Sequence, residues 1–585
     1  MLRKARVSHR KALIPFDRRF FTGEEKLTYI GSGSLGGKAQ GLTDLRDILE
    51  EKITPGFLPD IAVCIPTLTV IATDFFDLFM EQNDLYDVAL SDKRDDQIAH
   101  AFQKAELPSQ LVGDLRALIA QVHTPLAIRS SSMLEDAMFE PFASVYMTKM
   151  IPNNQHDTDT RFRKLVEAVK YIYASTFFRN AKSYMQATTH TIAEEKMAVI
   201  VQEVIGTLNN KRFYPHISGV ARSYNFYPFG LAEPEDGVVD LALGLGKTIV
   251  DEGMAWSYSP ARPQANPPYN SLKDLLKQTQ KEFWAIHMGE PPAYDPIKEV
   301  EYMIKCPLSD AEVDGTLRFT ASTYSVQNDS VVFGVREKGP RVLDFATILK
   351  LDHIPLNQLV KELLKVCEDT LGTMVEIEFA VTLDEEHGRP ARLGFLQVRP
   401  MVVAGAEADV SPSNITPGRV LVASESTLGN GVIETIRDIV YVKQETFKAR
   451  SSGMIAAEIE KMNRELLRSH RPYLLIGFGR WGSSDPRGGI PVKFGEISGA
   501  KVIVEATLPD MSSMPSQGSH FFHNITSFGI FYFSVDHFQQ YQIDWDWLNR
   551  QNVVADTELV RHVRLDSPLR IEVDGRKRRG LICHE

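Results

Sequence analysis

Four segments of the sequence place polar side chains in or directly after strand-like apolar runs, and their residue types suit phosphates, nucleobases and metal ions. In AIRSSSMLED, Arg129 follows an apolar run and precedes three serines. An arginine fixed at a strand end can bind a polyphosphate with both arms of its guanidinium. In MAVIVQEVI, Gln202 and Glu203 lie in a strand pattern whose backbone amides suit the edge of an adenine.

The other two segments have the period-two alternation of strands. VEIEF puts Glu376 and Glu378 on one face, and FLQVRPM does the same with Gln397 and Arg399. If the two strands pair, Glu378, Gln397 and Arg399 form one polar patch. Carboxylate and amide oxygens are the ligands that Mg²⁺ prefers, and the arginine would balance phosphate charge. For either segment alone, an exposed strand face is the alternative.

A glycine-rich loop at 31–38, GSGSLGGK, matches the GxGxxG pattern between a strand and a helix. The pattern is weak evidence, because GFGRWG at 477–482 also matches it and precedes a turn-like run. A P-loop is excluded, since Lys38 lacks a following Ser or Thr and Ser32 occupies the upstream glycine position. Backbone N–H groups entering a helix beside Lys38 still suit a phosphate. A tight turn with a solvated lysine is the alternative.

The elements around these segments predict an α+β protein. Strand-like runs occur at 27–30 and, from about residue 195 onward, in short β-branched stretches. Helical periodicity is predicted at 43–51, 92–122, 161–187 and 353–371. VEIEFAVTL and ARLGFLQVRPM are predicted to form an antiparallel pair.

Length and composition exclude several classes of protein. A chain of 585 residues corresponds to about three or four domains. Its composition is that of a globular protein, and its net charge of −11 argues against a dedicated nucleic-acid binder. Four scattered cysteines without a CxxC pair argue against a disulfide framework or a cysteine zinc site. The sequence lacks a secretory h-region and an apolar run of membrane-spanning length, so we expect a cytoplasmic enzyme without membrane contact.

Taken together, the motifs resemble the N-terminal nucleotide-binding module of the pyruvate phosphate dikinase and phosphoenolpyruvate synthase family, which is ATP-grasp-like. The resemblance covers roughly residues 30–402. The motifs that carry it occur in the order GGKAQGL, IPTLTVIATDFF, AIRSSSMLED, ASTFFRNAKSY, MAVIVQEVI, SGV, LGLGKTIVDEG and IEFAV…LQVRPM.

The resemblance implies the ligands ATP and Mg²⁺ and a set of site residues. Those implied to catalyse phosphoryl transfer are Lys38, Arg129 and Arg399. Together with the glycine-rich loop, those implied to bind the nucleotide are Gly36, Gly37, Lys38, Arg129, Gln202, Glu203, Val204, Asp240 and Arg399. Those implied to hold Mg²⁺ are Glu378 and Gln397. The sequence departs from the family at Lys247, which replaces an acid, and at Asp240, which replaces a longer glutamate.

These motifs predict a two-part ATP-grasp-like module followed by an α/β domain. The predicted parts are an N-terminal leader at 1–25, a phosphate-binding subdomain at 26–192, an adenine- and Mg²⁺-binding subdomain at 193–403, a linker at 404–418 and a C-terminal domain at 419–585.

The family transfers phosphate through a carrier histidine to a TIM-barrel acceptor site. The sequence after residue 402 lacks the TSGG-like carrier motif and is too short for a barrel. Candidates for an acceptor or anion site in this part are Arg480, Asp485, Arg487, His520 and His523. Structural histidines and a metal site are the alternatives for His520 and His523.

We therefore expect an ATP- and Mg²⁺-dependent phosphotransferase that passes a phosphoryl group to a histidine, in this chain or on a separate acceptor protein. In this family ATP yields AMP, so the β-phosphate would be retained. The alternative is a regulatory or scaffold protein that binds a nucleotide without turnover. A Rossmann oxidoreductase built on the first glycine loop is a third reading. The sequence does not predict the oligomeric state.

Overall fold

The computed structural model describes residues 13–53, 58–133, 135, 145–185, 191–228, 230–251, 253–267, 269, 271–384, 388–401, 410, 418–483, 489–508, 520–537, 542–575 and 577–584. Helices and strands contribute 31% each, which confirms the α+β class. None of the helices in these ranges is long and apolar enough to cross a membrane. Most of the predicted linker at 404–418 falls outside the described residues.

The first part of the chain forms a six-stranded sheet with helices packed on it. Its elements are β1 (Ile14–Pro15), β2 (Leu27–Ile30), α1 (Gly36–Lys52), β3 (Ile61–Cys64), β4 (Leu68–Ile71), α2 (Thr73–Gln82), α3 (Tyr86–Leu90), α4 (Asp95–Lys104), α5 (Ser109–Gln121), β5 (Leu126–Ser132), β6 (Thr148–Ile151), α6 (Thr158–Ser175), α7 (Arg179–Met185) and β7 (Met197–Glu203).

The strand order in this first sheet is β1-β2-β4-β7-β5-β6. Strands β1, β2 and β4 run parallel, and the remaining pairs are antiparallel. Two strands lie close to the ends of the predicted parts. β1 lies inside the predicted leader, and β7 is central in this sheet although it follows the boundary predicted at residue 192.

The second part contains a second six-stranded sheet and two smaller ones. Its elements are β8 (Thr207–Asn209), β9 (Arg212–Tyr214), β10 (Ile217–Arg222), β11 (Val238–Ala242), α8 (Lys247–Val250), β12 (Trp256–Tyr258), α9 (Leu272–Gln278), β13 (Glu282–His287), β14 (Met303–Pro307), α10 (Leu308–Val313), α11 (Leu317–Thr320), β15 (Ala321–Ser325), β16 (Ser330–Phe333), β17 (Arg341–Leu343), α12 (Ala346–Leu349), α13 (Leu356–Leu371), β18 (Val375–Asp384) and β19 (Arg389–Pro400).

The second sheet has the order β12-β11-β10-β18-β19-β3, and the smaller sheets have the orders β14-β13-β9-β8 and β16-β15-β17. The predicted antiparallel pairing of β18 with β19 is confirmed. Strand β3 comes from the first part of the chain and pairs parallel with β19. The two large sheets are therefore tied together by a strand that crosses between them.

The third part, from residue 418 onward, is built around a seven-stranded sheet. Its elements are β20 (Val420–Ser424), β21 (Thr427–Leu428), β22 (Asn430–Ile433), β23 (Asp438–Val442), α14 (Ser452–Arg468), β24 (Tyr473–Phe478), β25 (Arg480–Trp481), β26 (Gly489–Ile490), β27 (Ala500–Ala506), α15 (His520–Ser527), β28 (Phe531–Val535), α16 (Trp545–Leu548), β29 (Asn552–Asp556), β30 (Val560–Arg564), β31 (Arg570–Asp574) and β32 (Arg579–Cys583).

The order in this sheet is β21-β28-β27-β24-β23-β30-β29, with β28, β27, β24 and β23 parallel. Aromatic contacts join this part to both preceding parts. The ring centre of Tyr184 in α7 lies 5.4 Å from that of Phe494 and 5.1 Å from that of Phe528. The ring centre of Phe522 in α15 lies 5.8 Å from that of Tyr227. These contacts place α15 beside the second sheet.

Candidate functional site

Most of the predicted site residues line a cleft between the two large sheets. It contains about 1320 Å³ of empty space that opens to solvent, which is ample for a nucleotide. Strands β5 and β7 line one wall, and β10, β18 and β19 line the other. One end is charged and the other is apolar.

Arg129 joins the two walls at the charged end. Its guanidinium donates hydrogen bonds to Oε1 of Gln202 at 3.2 Å and Oε1 of Gln397 at 2.6 Å. It also donates to the backbone oxygen of Leu396 at 3.1 Å and lies 3.7 Å from the carboxylate of Glu378. Every one of these partners is an oxygen, so a phosphate could replace them at the same fork.

The polar patch predicted on β18 and β19 is present. Glu378 is in register with Gln397, and Glu376 is in register with Arg399. Arg399 Nη2 lies 2.5 Å from Oε1 of Glu378, and its Nε lies 3.4 Å from Oε1 of Glu376. The alternation that the sequence showed therefore puts these four side chains on one face.

Lys38 approaches the same end from helix α1. Its Nζ lies 2.9 Å from Oε1 of Glu135, a buried carboxylate that also accepts hydrogen bonds from Ser130 Oγ and Ser132 N. Glu135 belongs to the quoted motif RSSSMLED, but no role was predicted for it. It holds the lysine in the cleft wall, where phosphate oxygens can compete for the ammonium.

Gly36 and Gly37 precede Lys38 and allow the start of α1 to pack closely against neighbouring backbone. A Cβ at Gly36 would lie 1.8 Å from the backbone oxygen of Ser131, and one at Gly37 would lie 1.8 Å from that of Glu135. Gly36 also has a φ of 75°. The two glycines thus let the start of α1 approach the end of β5 and the chain that follows it, while the side chain of Lys38 lines the cleft.

The glycine-rich loop before α1 is anchored by the first turn of α2. Asp74 accepts hydrogen bonds from the backbone N and the hydroxyl of Ser32, and Thr73 Oγ1 accepts from the backbone N of Ser34. Thr73 and Asp74 are the first two residues of α2, and their side chains fix the loop.

The apolar end of the cleft provides a wall for a flat base. Val204, which the resemblance placed beside adenine, belongs to a buried cluster with Ala127 and Leu245, and Met150 and Met303 pack against it. Gln202 and Glu203 line the cleft next to this wall. The sequence did not predict Met150, Leu245 or Met303, because they come from separate elements and form no motif.

Lys247, the departure in the GLGK motif, lies in the cleft wall with two acids. Its Nζ is 2.7 Å from Asp251 and 3.7 Å from Glu299. Burial acts to lower the pKa of Lys247, but the two carboxylates outweigh it and the pKa is raised. The position thus keeps carboxylate groups near the cleft although the motif residue itself is a cation.

Asp240 is displaced from the other predicted site residues. It is in register with Val220, which separates it from Glu378 on the next strand. Its carboxylate accepts a hydrogen bond from Ser257. Burial, and secondarily the charge of Glu376, raise the pKa of Asp240. Asp240 is therefore on the same face of the sheet as Val220 and Glu378, but one strand farther out, and it does not line the cleft.

The predicted magnesium ligands offer the donor set that Mg²⁺ prefers. Glu378 supplies a carboxylate and Gln397 an amide oxygen from neighbouring strands. Across the described ranges, no group of three or more His, Cys, Asp or Glu could hold a metal. The residues present fit an ion that takes its other ligands from phosphates and water, as Mg²⁺ does with nucleotides.

The acceptor candidates are only partly described. His520 and His523 lie on helix α15, where residues three apart share a face, but their side chains are outside the described set. Asp485 and Arg487 also lie outside it. Arg480 is in β25. Its positive charge partly offsets the rise in the pKa of Asp240 that burial causes.

A family model described as "Pyruvate phosphate dikinase, AMP/ATP-binding domain" matches residues 32–417. The match covers residues 32–38 of the glycine-rich loop, the strands of both cleft walls and every predicted nucleotide and metal residue. No curated protein matches the chain.

Proposed function

Because the chain belongs to the family of the pyruvate phosphate dikinase AMP/ATP-binding domain, we propose that it is an ATP- and Mg²⁺-dependent phosphotransferase with a histidine acceptor. The observation that carries this proposal is the division of one cleft into an apolar end and a charged end. Val204 and its apolar neighbours suit the base, and Lys38, Arg129 and Arg399 converge where the triphosphate would lie.

The proposed reaction begins with attack of a neutral imidazole nitrogen on the β-phosphorus of ATP. The N–P bond forms as the bond between the β-phosphorus and the α,β-bridging oxygen breaks, and AMP leaves with the electron pair. The imidazole proton passes to solvent. Water or inorganic phosphate then takes the γ-phosphoryl group, which leaves the β-phosphoryl group on the histidine.

The roles of the cleft residues in this reaction are electrostatic. Lys38, Arg129 and Arg399 bind the triphosphate and stabilise the charge that spreads over the transferring group. Glu378 and Gln397 would hold Mg²⁺, which supplies further charge neutralisation when bound. Arg129 also aligns the two walls through Gln202 and Gln397, so nucleotide binding and wall alignment are expected to be linked.

The acceptor is proposed to be His520 or His523 of α15 or a histidine of a separate protein. The position of α15 supports an acceptor within the chain, because Phe522 of that helix lies 5.5 Å from the guanidinium of Arg222 on the second sheet. Arg222 is in register with Glu376, a neighbour of Arg399.

Product analysis with labelled ATP tests the proposal. The protein is incubated with Mg²⁺ and ATP labelled in the β- or the γ-phosphate, and nucleotides and acid-labile phosphoprotein are measured. We expect AMP and a phosphoenzyme labelled from the β-position only. Label from the γ-position with ADP would indicate an ordinary kinase. ATP binding without AMP, with or without candidate acceptor proteins, would favour a nucleotide-binding regulatory protein.

A further inference from the structure

Arg222 is a buried arginine at the end of β10 for which the sequence predicted no role. Its side chain is 1% exposed, and it forms an ion pair with Glu376, which is 2% exposed. Its Nη1 donates to none of the described groups. Burying an arginine this deeply costs considerable desolvation energy. A hydrophobic side chain could fill the same space without that cost, so the charge of Arg222 calls for a functional explanation.

The strand register places Arg222 in a row with two residues of the charged end. Arg222 is in register with Glu376, and Glu376 is in register with Arg399. Glu376 therefore lies between two guanidiniums on three neighbouring strands. Arg399 in turn reaches Glu378 at 2.5 Å. Positive and negative groups thus alternate from Arg222 to Glu378.

This alternation determines where Arg399 can point. A carboxylate between two guanidiniums divides its attraction between them. Without Arg222, Glu376 would attract Arg399, whose Nε lies 3.4 Å from its Oε1, more strongly and would draw that guanidinium away from Glu378. Buried groups respond strongly to such changes, because the local dielectric constant is low.

The third part of the chain covers the outer end of the row. The ring of Phe522 on α15 lies 5.5 Å from the guanidinium carbon of Arg222, within the range of a cation–π contact. Phe522 also packs against Phe226 at 5.5 Å and Tyr227 at 5.8 Å. With this ring beside it, the guanidinium of Arg222 is shielded from water, and its side chain is 1% exposed.

We infer that Arg222 is a positioning residue: through Glu376 it holds Arg399 in the orientation that binds the phosphates, and Phe522 of the third part of the chain holds Arg222. The inference rests on the proposed function, because it assigns phosphate binding to Arg399. It makes the third part of the chain a determinant of phosphate affinity, independently of whether that part also carries the acceptor.

Binding measurements with ATP and with adenosine test the inference without requiring turnover. Arg222→Met should weaken ATP binding about tenfold, as expected for the loss of one well-oriented charged contact, and leave adenosine binding unchanged. Arg222→Lys should recover part of the affinity. Phe522→Leu should weaken ATP binding in the same direction but less. If Arg222→Met does not fold, the ATP affinities of Arg222→Lys and Phe522→Leu test the inference instead.

Two comparisons separate positioning from general destabilisation. Arg161→Met removes another buried arginine, which bonds to the backbone of Val122 away from the cleft, and it should leave ATP affinity unchanged. In an Arg399→Met background, Arg222→Met should have little further effect on ATP binding.

The outcomes distinguish this inference from the proposed function. If the unmodified protein binds ATP and Arg222→Met binds it equally well, the inference is overturned and the proposed function stands. The inference would also be overturned if Arg222→Met weakened ATP and adenosine binding equally. It would be overturned as well if Arg222→Met weakened ATP binding as much in the Arg399→Met background as in the unmodified protein. Failure of the unmodified protein to bind ATP would overturn both.

Discussion

Replacing Glu378 by glutamine is expected to strengthen the binding of magnesium-free ATP while it strongly lowers the rate of AMP formation. In the free protein the carboxylate lies 2.5 Å from Arg399 and 3.7 Å from Arg129, so it competes with phosphate for both guanidiniums. Glutamine has nearly the same size, and the substitution removes chiefly one negative charge. The same change replaces the carboxylate of a predicted Mg²⁺ ligand by a neutral amide, which binds the ion more weakly.

The size of the effect on affinity follows from the repulsion between the carboxylate and a phosphate. Two unit charges about 5 Å apart interact by about 3 kcal/mol at an effective dielectric constant of about 20. The side chain of Glu378 is 15% exposed, and salt screens charges in an open cleft, so about half of this remains. The dissociation constant of magnesium-free ATP should therefore fall about tenfold. AMP formation should fall at least about a hundredfold.

Calorimetric titration with ATP in a chelator and in excess Mg²⁺, together with chromatographic measurement of AMP, checks both parts. The matched control is Glu312→Gln, since Glu312 also lies 2.5 Å from an arginine, Arg341, but does not line the cleft. Weaker binding of magnesium-free ATP by Glu378→Gln would refute the competition between carboxylate and phosphate. Unchanged AMP formation would refute the role of Glu378 as a metal ligand.

Three further predictions concern other parts of the cleft. Lys38→Met should weaken ATP binding about a hundredfold, because it removes one phosphate contact and leaves the buried carboxylate of Glu135 without the Lys38 cation. Adding Glu135→Gln should restore part of the affinity in a titration. Burial, as the leading cause, raises the pKa of Glu195 to about 7. The folded protein then holds a proton that the unfolded chain has lost, so the contribution of Glu195 to stability is present below about pH 4.5 and declines as the pH rises to about 7. Glu195→Gln should therefore gain melting temperature relative to the unmodified protein as the pH is raised from 5 to 8, and a constant difference would contradict this. Gly36→Ala should lower the melting temperature, because its Cβ would lie 1.8 Å from a backbone oxygen, whereas Gly453→Ala, in a helix with open space, should raise it slightly.

The predicted pairing of β18 with β19 shows which part of the site could be read from the sequence. The period of two puts Glu378, Gln397 and Arg399 on defined faces, and the apolar positions between them leave one face for the core. That signal is local, since it depends only on the alternation within each strand. The order of the motifs added the expectation that Lys38 and Arg129 approach the same patch.

Asp240 and Arg222 show what such patterns could not determine. Both lie on strands with alternating side chains, yet Asp240 is separated from the cleft by Val220, and Arg222 is paired with Glu376. Neither outcome follows from one strand alone, because each depends on which strand pairs with which and in what register. The apolar wall of Met150, Leu245 and Met303 was missed for the same reason.

The sequence by itself determined the class of the fold, the family and the faces of the strands that carry charge. These follow from local alternation and from motifs that keep their order along the chain. Only the tertiary structure decided which charges meet. Arg129 and Gln397 form a 2.6 Å hydrogen bond although 268 positions separate them, and Phe522 covers Arg222 from a different part of the chain. Contacts over such separations are fixed by sheet pairing and core packing, which depend on the whole chain and not on any one segment.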